Sequence, residues 1–150
     1  MRVVVTGSSG FIGSNLIKNL IQKKYDVLSI SRKSVPSDCL SLNTKDLFTP
    51  HGLNVLKKFA PTHFIHTAAI AHDNILKKRY PLNEIFRINE VMPLELFKLC
   101  QELNVKKFVF LSTVGVHGSS TKRLETINEN SRLNYQNIYS KSKFFAEFNL

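Results

Sequence analysis

The residues best suited to do chemistry in this chain are a tyrosine and a lysine four positions apart. Tyr139 and Lys143 would share one face of a helix. A phenol titrates near ~10, and lowering its pKa by ~3 units takes about 4 kcal/mol. One ammonium at ~4 Å, in an effective dielectric of ~20, supplies about that much. The pair therefore predicts a proton shuttle in which Lys143 lowers the pKa of Tyr139, with the Thr113 hydroxyl bonded to the reacting oxygen or the phenol.

A glycine-rich stretch near the start of the chain could hold phosphates. It reads TGSSGFIG over residues 6–13, between a predicted strand and a predicted helix. The first glycine permits a tight turn, the second lets the backbone approach a pyrophosphate, and the third lets helix and strand pack closely. The helix N-terminus adds free N–H groups and partial positive charge. The alternative is a glycine-rich turn without a ligand. The predicted cofactor contacts are Gly7, Ser9, Gly10, Phe11, Ile12 and Gly13.

Together, the two motifs predict hydride transfer between a nicotinamide dinucleotide and a carbinol. The end of the second predicted strand should distinguish NAD from NADP, because an acidic side chain there would bond the ribose hydroxyls of NAD. This chain has Ser31, Arg32 and Lys33 instead, which favours NADP. The alternative is that Arg32 stacks on adenine and NAD still binds. Asp46 and Leu47 are predicted to touch the adenine, although Asp46 could be an ordinary loop acid.

Hydrophobic periodicity predicts alternating strands and helices. The predicted strands are Val3–Val5, Tyr25–Ser31, His63–Thr67 and Lys107–Leu111. The predicted helices are Phe11–Gln22, a short one before Pro61, Ile85–Leu103 despite Pro93, and Ile138 to the end. Residues 32–49 and 119–136 are predicted loops. This order predicts an α/β fold, a Rossmann-like doubly wound parallel sheet with helices on both faces, in one domain over residues 1–150.

The composition of the chain limits the classes of partner that we expect it to bind. The formal net charge is +10, but the lysines form scattered doublets such as Lys57-Lys58 rather than a stripe. We therefore expect no nucleic-acid partner, and attribute the charge to a solvated surface that helps to attract a phosphate-bearing ligand. Cys39 and Cys100 belong to no metal-binding pattern, so no metal is expected. No signal peptide or apolar run of ~20 residues is present, so we expect a cytoplasmic protein without a membrane partner.

The order and spacing of five motifs resemble those of the extended short-chain dehydrogenases/reductases, the NAD-dependent epimerase/dehydratase family that acts on nucleotide sugars. The resemblance covers nearly all 150 residues. Its motifs stand here as TGSSGFIG at residues 6–13, HTAA at 66–69, Asn89 before Glu90-Val91, STVGVHG at 112–118, and Tyr139 to Lys143 followed by Ala146-Glu147.

The resemblance implies a role for each matching residue. The three glycines of residues 6–13 bind the pyrophosphate, and Ala68 and Ala69 pass the cofactor ribose. Thr113, Tyr139 and Lys143 are the catalytic residues, and Tyr139 and Lys143 also contact the cofactor, Lys143 at the nicotinamide ribose. Asn89 is similar to the helix asparagine that shapes the site and is counted among the cofactor contacts. Its alternative is a plain polar helix residue.

Departures from the family pattern narrow the implied reaction. The 4,6-dehydratases carry Asp-Glu directly after the catalytic Thr, where this chain has Val114-Gly115. That argues against dehydration and leaves epimerisation or ketoreduction. His117 stands where the family commonly has Tyr, a position expected to be structural. Residues 69–72 and 112–118 are similar to the branch acting on UDP-N-acetylhexosamines for surface polysaccharides. In that branch His72 would face the substrate; the alternative is an exposed loop histidine.

The family extends beyond the Tyr139–Lys143 helix, so we expect this chain to be a fragment that lacks the C-terminal substrate-binding region. The full-length protein is expected to be a homodimer with a nucleotide-sugar substrate. The leading hypothesis is an NAD(P)-dependent 4-epimerase of a UDP-sugar, acting through a 4-keto intermediate in surface-polysaccharide synthesis. The alternatives are an NADPH-dependent nucleotide-sugar 4-ketoreductase and a non-catalytic dinucleotide-binding module.

Overall fold

A computed structural model describes residues 1–33, 38–71, 80–118 and 126–150. The chain divides into two compact units. Residues 1–69 and 96–111 form the first, which we call the sheet unit. Residues 70–95 and 112–150 form the second, which we call the helical unit. Each unit carries a different part of the predicted site, and each is described separately.

The sheet unit is built on five parallel strands in the order β3-β2-β1-β4-β5. The strands are β1 Arg2–Thr6, β2 Asp26–Ser31, β3 Leu40–Asn43, β4 His63–His66 and β5 Lys107–Phe110. Val3, Val4 and Val5 on β1 are completely buried, as expected for the central strand of a sheet covered on both faces. The chain runs outward from β1 in one direction and then in the other, so right-handed crossovers place its helices on opposite faces. The predicted doubly wound α/β fold is confirmed.

Two helices of the sheet unit position its loops. Helix α1, Phe11–Gln22, follows β1 directly, and its Ile17 and Leu20 pack against the β1 valines. Helix α2, Pro50–Phe59, follows a 3₁₀ turn over Thr44–Asp46. Thr49 caps α2 by accepting a hydrogen bond from the Gly52 N–H at 3.3 Å. These contacts fix the turn after β1 and the segment before α2.

The sequence analysis missed β3, because it placed residues 32–49 in a loop. Leu40–Asn43 forms a short edge strand, paired through Leu28↔Leu40 to Ser31↔Asn43 with β2. Leu42 is its single buried residue. A four-residue strand with one inward side chain leaves no alternating pattern in the sequence. Its pairing with the backbone of β2 is what makes this segment a strand.

In its described residues, the helical unit has one long helical segment in three parts and a second α-helix. Helix α3, Leu82–Phe86, leads into a π-helical turn, Arg87–Val91, and then into α4, Met92–Glu102, whose later residues belong to the sheet unit. The predicted Ile85–Leu103 helix is therefore confirmed, but the wide turn within it was not predicted. Pro93 has no N–H to donate to the carbonyl four residues earlier, which explains why the helix widens just before it.

The second helix of this unit, α5, spans Ile138–Asn149. Its N-terminus is closed by a capping box: Asn137 Oδ1 accepts from the Ser140 N–H at 2.8 Å, and Ser140 Oγ accepts from the Asn137 N–H at 3.3 Å. This cap fixes where α5 begins, and so where Tyr139 and Lys143 fall along it. In the described parts of the chain, no helix is long and apolar enough to cross a bilayer.

Candidate active site

The turn between β1 and α1 is a backbone cradle that tolerates only glycine at two positions. Gly7 has φ +71°, a left-handed conformation, and a Cβ there would lie 2.6 Å from Ala68 N. A Cβ on Gly13 would lie 2.3 Å from the Gly7 carbonyl oxygen. Hydrogen is the only substituent that fits at either point. The predicted roles of tight turn and close packing are thus visible in the backbone.

The N-terminus of α1 is open to an anion. Gly10 is its N-cap, no side chain caps the helix, and its first turn has no acidic residue. The first N–H groups of a helix have no intrahelical acceptor, so they are available to a ligand. Phe11 and Ile12 are 86% and 53% exposed at this end. Ser9 is also exposed, while Gly13 is buried.

A buried hydroxyl in the cradle supports the same conclusion. Ser8 is fully buried, and its Oγ has no hydrogen-bond partner among the described residues. Such a group costs free energy unless something else bonds to it. With uncapped N–H groups, glycines that admit a close approach and no competing carboxylate, these residues fit the pyrophosphate of a dinucleotide.

The end of β2 presents two cations. Arg32 and Lys33 are exposed, and Asn43 Nδ2 donates to the Arg32 carbonyl at 3.4 Å. Ser31 is buried, and its hydroxyl donates to the Lys33 carbonyl, which closes the turn. Residues 31–33 therefore offer cationic side chains, and no carboxylate, to a ribose-phosphate group.

Asp46 and Leu47 differ in what they can present to an adenine. Asp46 is half-buried, and its carbonyl accepts from Thr49 Oγ1 at 2.7 Å. Leu47 is completely buried, so its side chain packs in the core and presents no surface to a ligand. Of the two, the Asp46 side chain is the one exposed enough to contact a base.

Ala68 and Ala69 follow β4 and are half-buried. Thr67, just before them, donates from Oγ1 to the Thr6 carbonyl at 2.7 Å, which holds this segment beside the end of β1. Because Ala68 N lies against Gly7, the segment forms one wall of the cradle. Small side chains there leave room beside the glycines.

Thr113 begins the 3₁₀ turn Val114–His117 in the helical unit. Its Oγ1 accepts a hydrogen bond from the Gly115 N–H at 3.2 Å. That bond fixes the oxygen and leaves the hydroxyl proton to be donated elsewhere. His117 Nδ1 lies 3.3 Å from the Arg132 carbonyl, a contact that agrees with the structural role expected for it. His72 lies outside the described residues.

Tyr139 and Lys143 lie on α5 in a largely apolar setting. Tyr139 packs against the buried cluster of Ile70 and Ile85, and burial raises the pKa of its phenol above the ordinary value. Lys143 is 1% exposed. Burial lowers its pKa from 10.5 to about 8, and Glu147 acts in the opposite direction.

The expectation that Lys143 lowers the pKa of Tyr139 is therefore wrong for the chain alone. Burial disfavours the charged phenolate, and this raises the pKa of Tyr139 instead of lowering it. Burial weakens the ammonium too, since its proton leaves near pH 8.

Asn89 is fully buried in the π-helical turn, and its side-chain amide is saturated. Oδ1 accepts from Ile70 N at 2.8 Å, while Nδ2 donates to the Ile70 carbonyl at 2.9 Å and to Ser142 Oγ at 3.0 Å. Both amide protons are committed within the protein. Asn89 therefore orders its surroundings, as the resemblance implies, and the structure gives no support to its side chain as a cofactor contact.

The sequence analysis did not single out Ser8 or Ser142. Ser8 lies inside the glycine stretch, and Ser142 lies inside the Tyr139–Lys143 motif. Their position inside these motifs was the only feature of the sequence that could have indicated a role for them. A serine adds neither hydrophobic periodicity nor charge to the sequence. The sequence therefore does not distinguish a buried, hydrogen-bonded serine from an exposed one.

Comparison with protein families matches residues 3–148 to the NAD dependent epimerase/dehydratase family. The chain belongs to this family. A UDP-glucose 4-epimerase of Vibrio cholerae is 33% identical over 121 residues, which cover 79% of this chain and 37% of that protein. A GDP-6-deoxy-D-talose 4-dehydrogenase of Aggregatibacter actinomycetemcomitans is 30% identical over 151 residues, 98% of this chain and 46% of the relative.

Solved structures of the family show the same fold. The UDP-glucose 4-epimerase of Thermus thermophilus, in complex with NAD, superposes with a TM-score of 0.83 at 29% identity. The match covers 99% of this chain and 48% of that one. The chain thus spans less than half the length of these family members.

Proposed function

We propose that the protein carrying this chain is an NAD(P)-dependent nucleotide-sugar 4-epimerase. The observation that carries the proposal is the combination of a glycine-only cradle with an uncapped α1 and an intact Thr113, Tyr139 and Lys143. A module that only bound a dinucleotide would not need the last three residues. The relatives named as UDP-glucose 4-epimerases support the same reaction class.

Each unit supplies different steps. In the sheet unit, N–H groups at the start of α1 bind the pyrophosphate, and the Asp46 carboxylate contacts the adenine. The bound dinucleotide supplies a hydride acceptor. In the helical unit, Tyr139 accepts the proton of the C4 hydroxyl and later returns it, Lys143 provides positive charge beside the phenol, and Thr113 donates a hydrogen bond to the sugar oxygen. Inversion at C4 would require the dinucleotide to return the hydride to the opposite face of the 4-keto sugar.

A substrate assay tests the proposal. Purified full-length protein is incubated with UDP-GlcNAc, UDP-GalNAc or UDP-glucose, and the products are separated by chromatography. We expect interconversion of a C4-epimeric pair without net consumption of cofactor. Stoichiometric loss of added NADPH with a 4-keto sugar, and no interconversion, would replace the epimerase by the 4-ketoreductase. Binding of dinucleotide with turnover of neither substrate would favour the non-catalytic module.

The cellular setting is a separate part of the proposal. The similarity of residues 69–72 and 112–118 to the surface-polysaccharide branch supports a role in polysaccharide synthesis in the cytoplasm. We also propose a homodimer, with no nucleic-acid or membrane partner. Sedimentation of the full-length protein measures its oligomeric state directly. A monomer at micromolar concentration would reject the dimer and leave the reaction unaffected.

NADP is the proposed cofactor, because Arg32 and Lys33 stand exposed where an NAD-binding site would carry an acid. We expect Arg32→Ala to weaken NADP binding by about tenfold, the value of one hydrogen bond to a charged group, while NAD binding changes little. Calorimetric titration with each cofactor measures both affinities. Exposed Lys45 provides the control, Lys45→Ala.

If Arg32→Ala weakens both cofactors equally, Arg32 stacks on the adenine and does not distinguish them. An NADP preference would favour the ketoreductase among the alternatives, because a reductase releases its cofactor after each transfer while an epimerase regenerates it in place.

A further inference from the structure

A single buried hydroxyl joins two elements of the helical unit. Ser142 on α5 is completely buried. Its Oγ accepts a hydrogen bond from Asn89 Nδ2 at 3.0 Å and donates one to the Tyr139 carbonyl at 2.8 Å. The hydroxyl thus contacts the π-helical turn on one side and the first turn of its own helix on the other. Both of its hydrogen-bonding directions are used.

The partner of this hydroxyl is itself held in place. Asn89 bonds both backbone groups of Ile70, so its amide cannot turn to follow a displaced α5. The π-helical turn that carries it is closed by a hydrogen bond from Met92 N to the Arg87 carbonyl. A widened turn of this type is frequent at functional sites in helices. The Ile70–Asn89–Ser142 chain therefore fixes the position of α5 from outside the helix.

We propose that Ser142 is a positioning residue for the acid–base pair of Tyr139 and Lys143. The hydroxyl fixes the carbonyl of Tyr139 and precedes Lys143, so it sets the orientation of the helical turn between them. That orientation determines how deeply the Lys143 side chain is buried. The proposal rests on the proposed function only in giving these two residues their catalytic roles. The hydrogen bonds of Ser142 do not depend on the proposed function.

The charges around Lys143 are unaltered by a change at Ser142, so its titration reports its burial. Helix α5 packs against the π-helical turn, the 3₁₀ turn and α3. Besides Lys143 itself, the charged or titratable side chains on these elements and on α5 are Glu84, Arg87, Glu90, His117, Tyr139, Lys141 and Glu147. Glu147 is the one that opposes the effect of burial on the pKa of Lys143. A change in that pKa after substitution of Ser142 would therefore indicate altered solvent access.

The test is an NMR titration of the protein labelled with [¹³Cε]lysine, between pH 6.5 and 10.5, with the Lys143 resonance assigned by its loss in Lys143→Met. We expect Ser142→Ala to raise the pKa of Lys143 from about 8 toward 10.5, because a loosened α5 lets water reach the amine. Ser142→Thr keeps the hydroxyl and should restore the low value. If Ser142→Ala does not fold, Ser142→Cys, which keeps the size and weakens the hydrogen bonds, gives the same measurement.

The matched control is Ser140→Ala. Ser140 is also buried on α5, but its hydroxyl bonds only the Asn137 cap in the described structure. We expect that variant to lose stability and keep the pKa of Lys143 near 8. In an active preparation, Ser142→Ala should lower kcat with little change in KM. An unchanged Lys143 titration in Ser142→Ala overturns the proposal. The titration needs no substrate, so failure of the sugar assay alone overturns the proposed function and leaves Ser142 in its role.

Discussion

Tyr139→Phe is expected to slow sugar turnover by about 10²–10⁴-fold, the usual contribution of a positioned general acid or base. The substitution removes one oxygen and keeps the ring packed against Ile70 and Ile85. The fold should therefore survive. Tyr139 is proposed to carry the proton of the sugar hydroxyl through its phenol oxygen, which phenylalanine lacks. The measurement is kcat with the best substrate from the interconversion assay.

A second tyrosine supplies the control for this result. Tyr135 stacks on Phe144 with a centroid distance of 4.8 Å and is 36% exposed. Tyr135→Phe makes the same chemical change away from the proposed proton path and should leave kcat within about twofold. Cofactor affinity should be similar in both variants. Retention of activity in Tyr139→Phe would remove Tyr139 from its role.

Lys143→Met is expected to abolish turnover and at the same time to stabilise the fold. The buried ammonium has a pKa of about 8 against an ordinary 10.5, a difference worth up to about 3 kcal/mol at neutral pH. Methionine fills a similar volume without a charge. The free energy of unfolding from urea titration at pH 7 should therefore rise by roughly that amount. Exposed Lys141 provides the control, and Lys141→Met should change stability by less than about 0.5 kcal/mol.

The stability difference between Lys143→Met and the parent protein should shrink as the pH rises. Below pH 8 the lysine is protonated in both folded and unfolded chains, and the folded chain bears the full cost of burial. Between pH 8 and 10.5 the folded chain binds fewer protons than the unfolded one, so this lysine makes stability increase with pH. Unfolding at pH 7 and pH 9.5 measures the change. A Lys143→Met variant less stable than the parent at pH 7 would contradict the prediction.

The cradle could be predicted from the sequence because each of its requirements is local. A left-handed Gly7 and a Gly13 pressed against a carbonyl leave their mark as glycines at fixed spacing. Helix α1 was predicted with the bounds that the structure shows, because its buried side chains recur at the helical period. For such elements, residue type and spacing contain most of the physical information.

The features that sequence reasoning missed depend on neighbours distant along the chain. Strand β3 depends on β2, and the saturated amide of Asn89 depends on Ile70 and Ser142. The direction of the Tyr139 pKa shift depends on how much apolar surface surrounds the phenol, which spacing alone does not reveal. Charge pairing could be inferred from four-residue spacing, whereas desolvation could not.

Ser31 imposes a restriction on any attempt to re-engineer dinucleotide preference. It is the last residue of β2, directly before Arg32 and Lys33, but it is buried and its hydroxyl closes the turn onto the Lys33 carbonyl. An acidic substitution at Ser31 would place an ionised group out of water and release that turn. The two outward positions, Arg32 and Lys33, can be recoded without touching the core. A library that varies only these two would explore selectivity at little risk to folding.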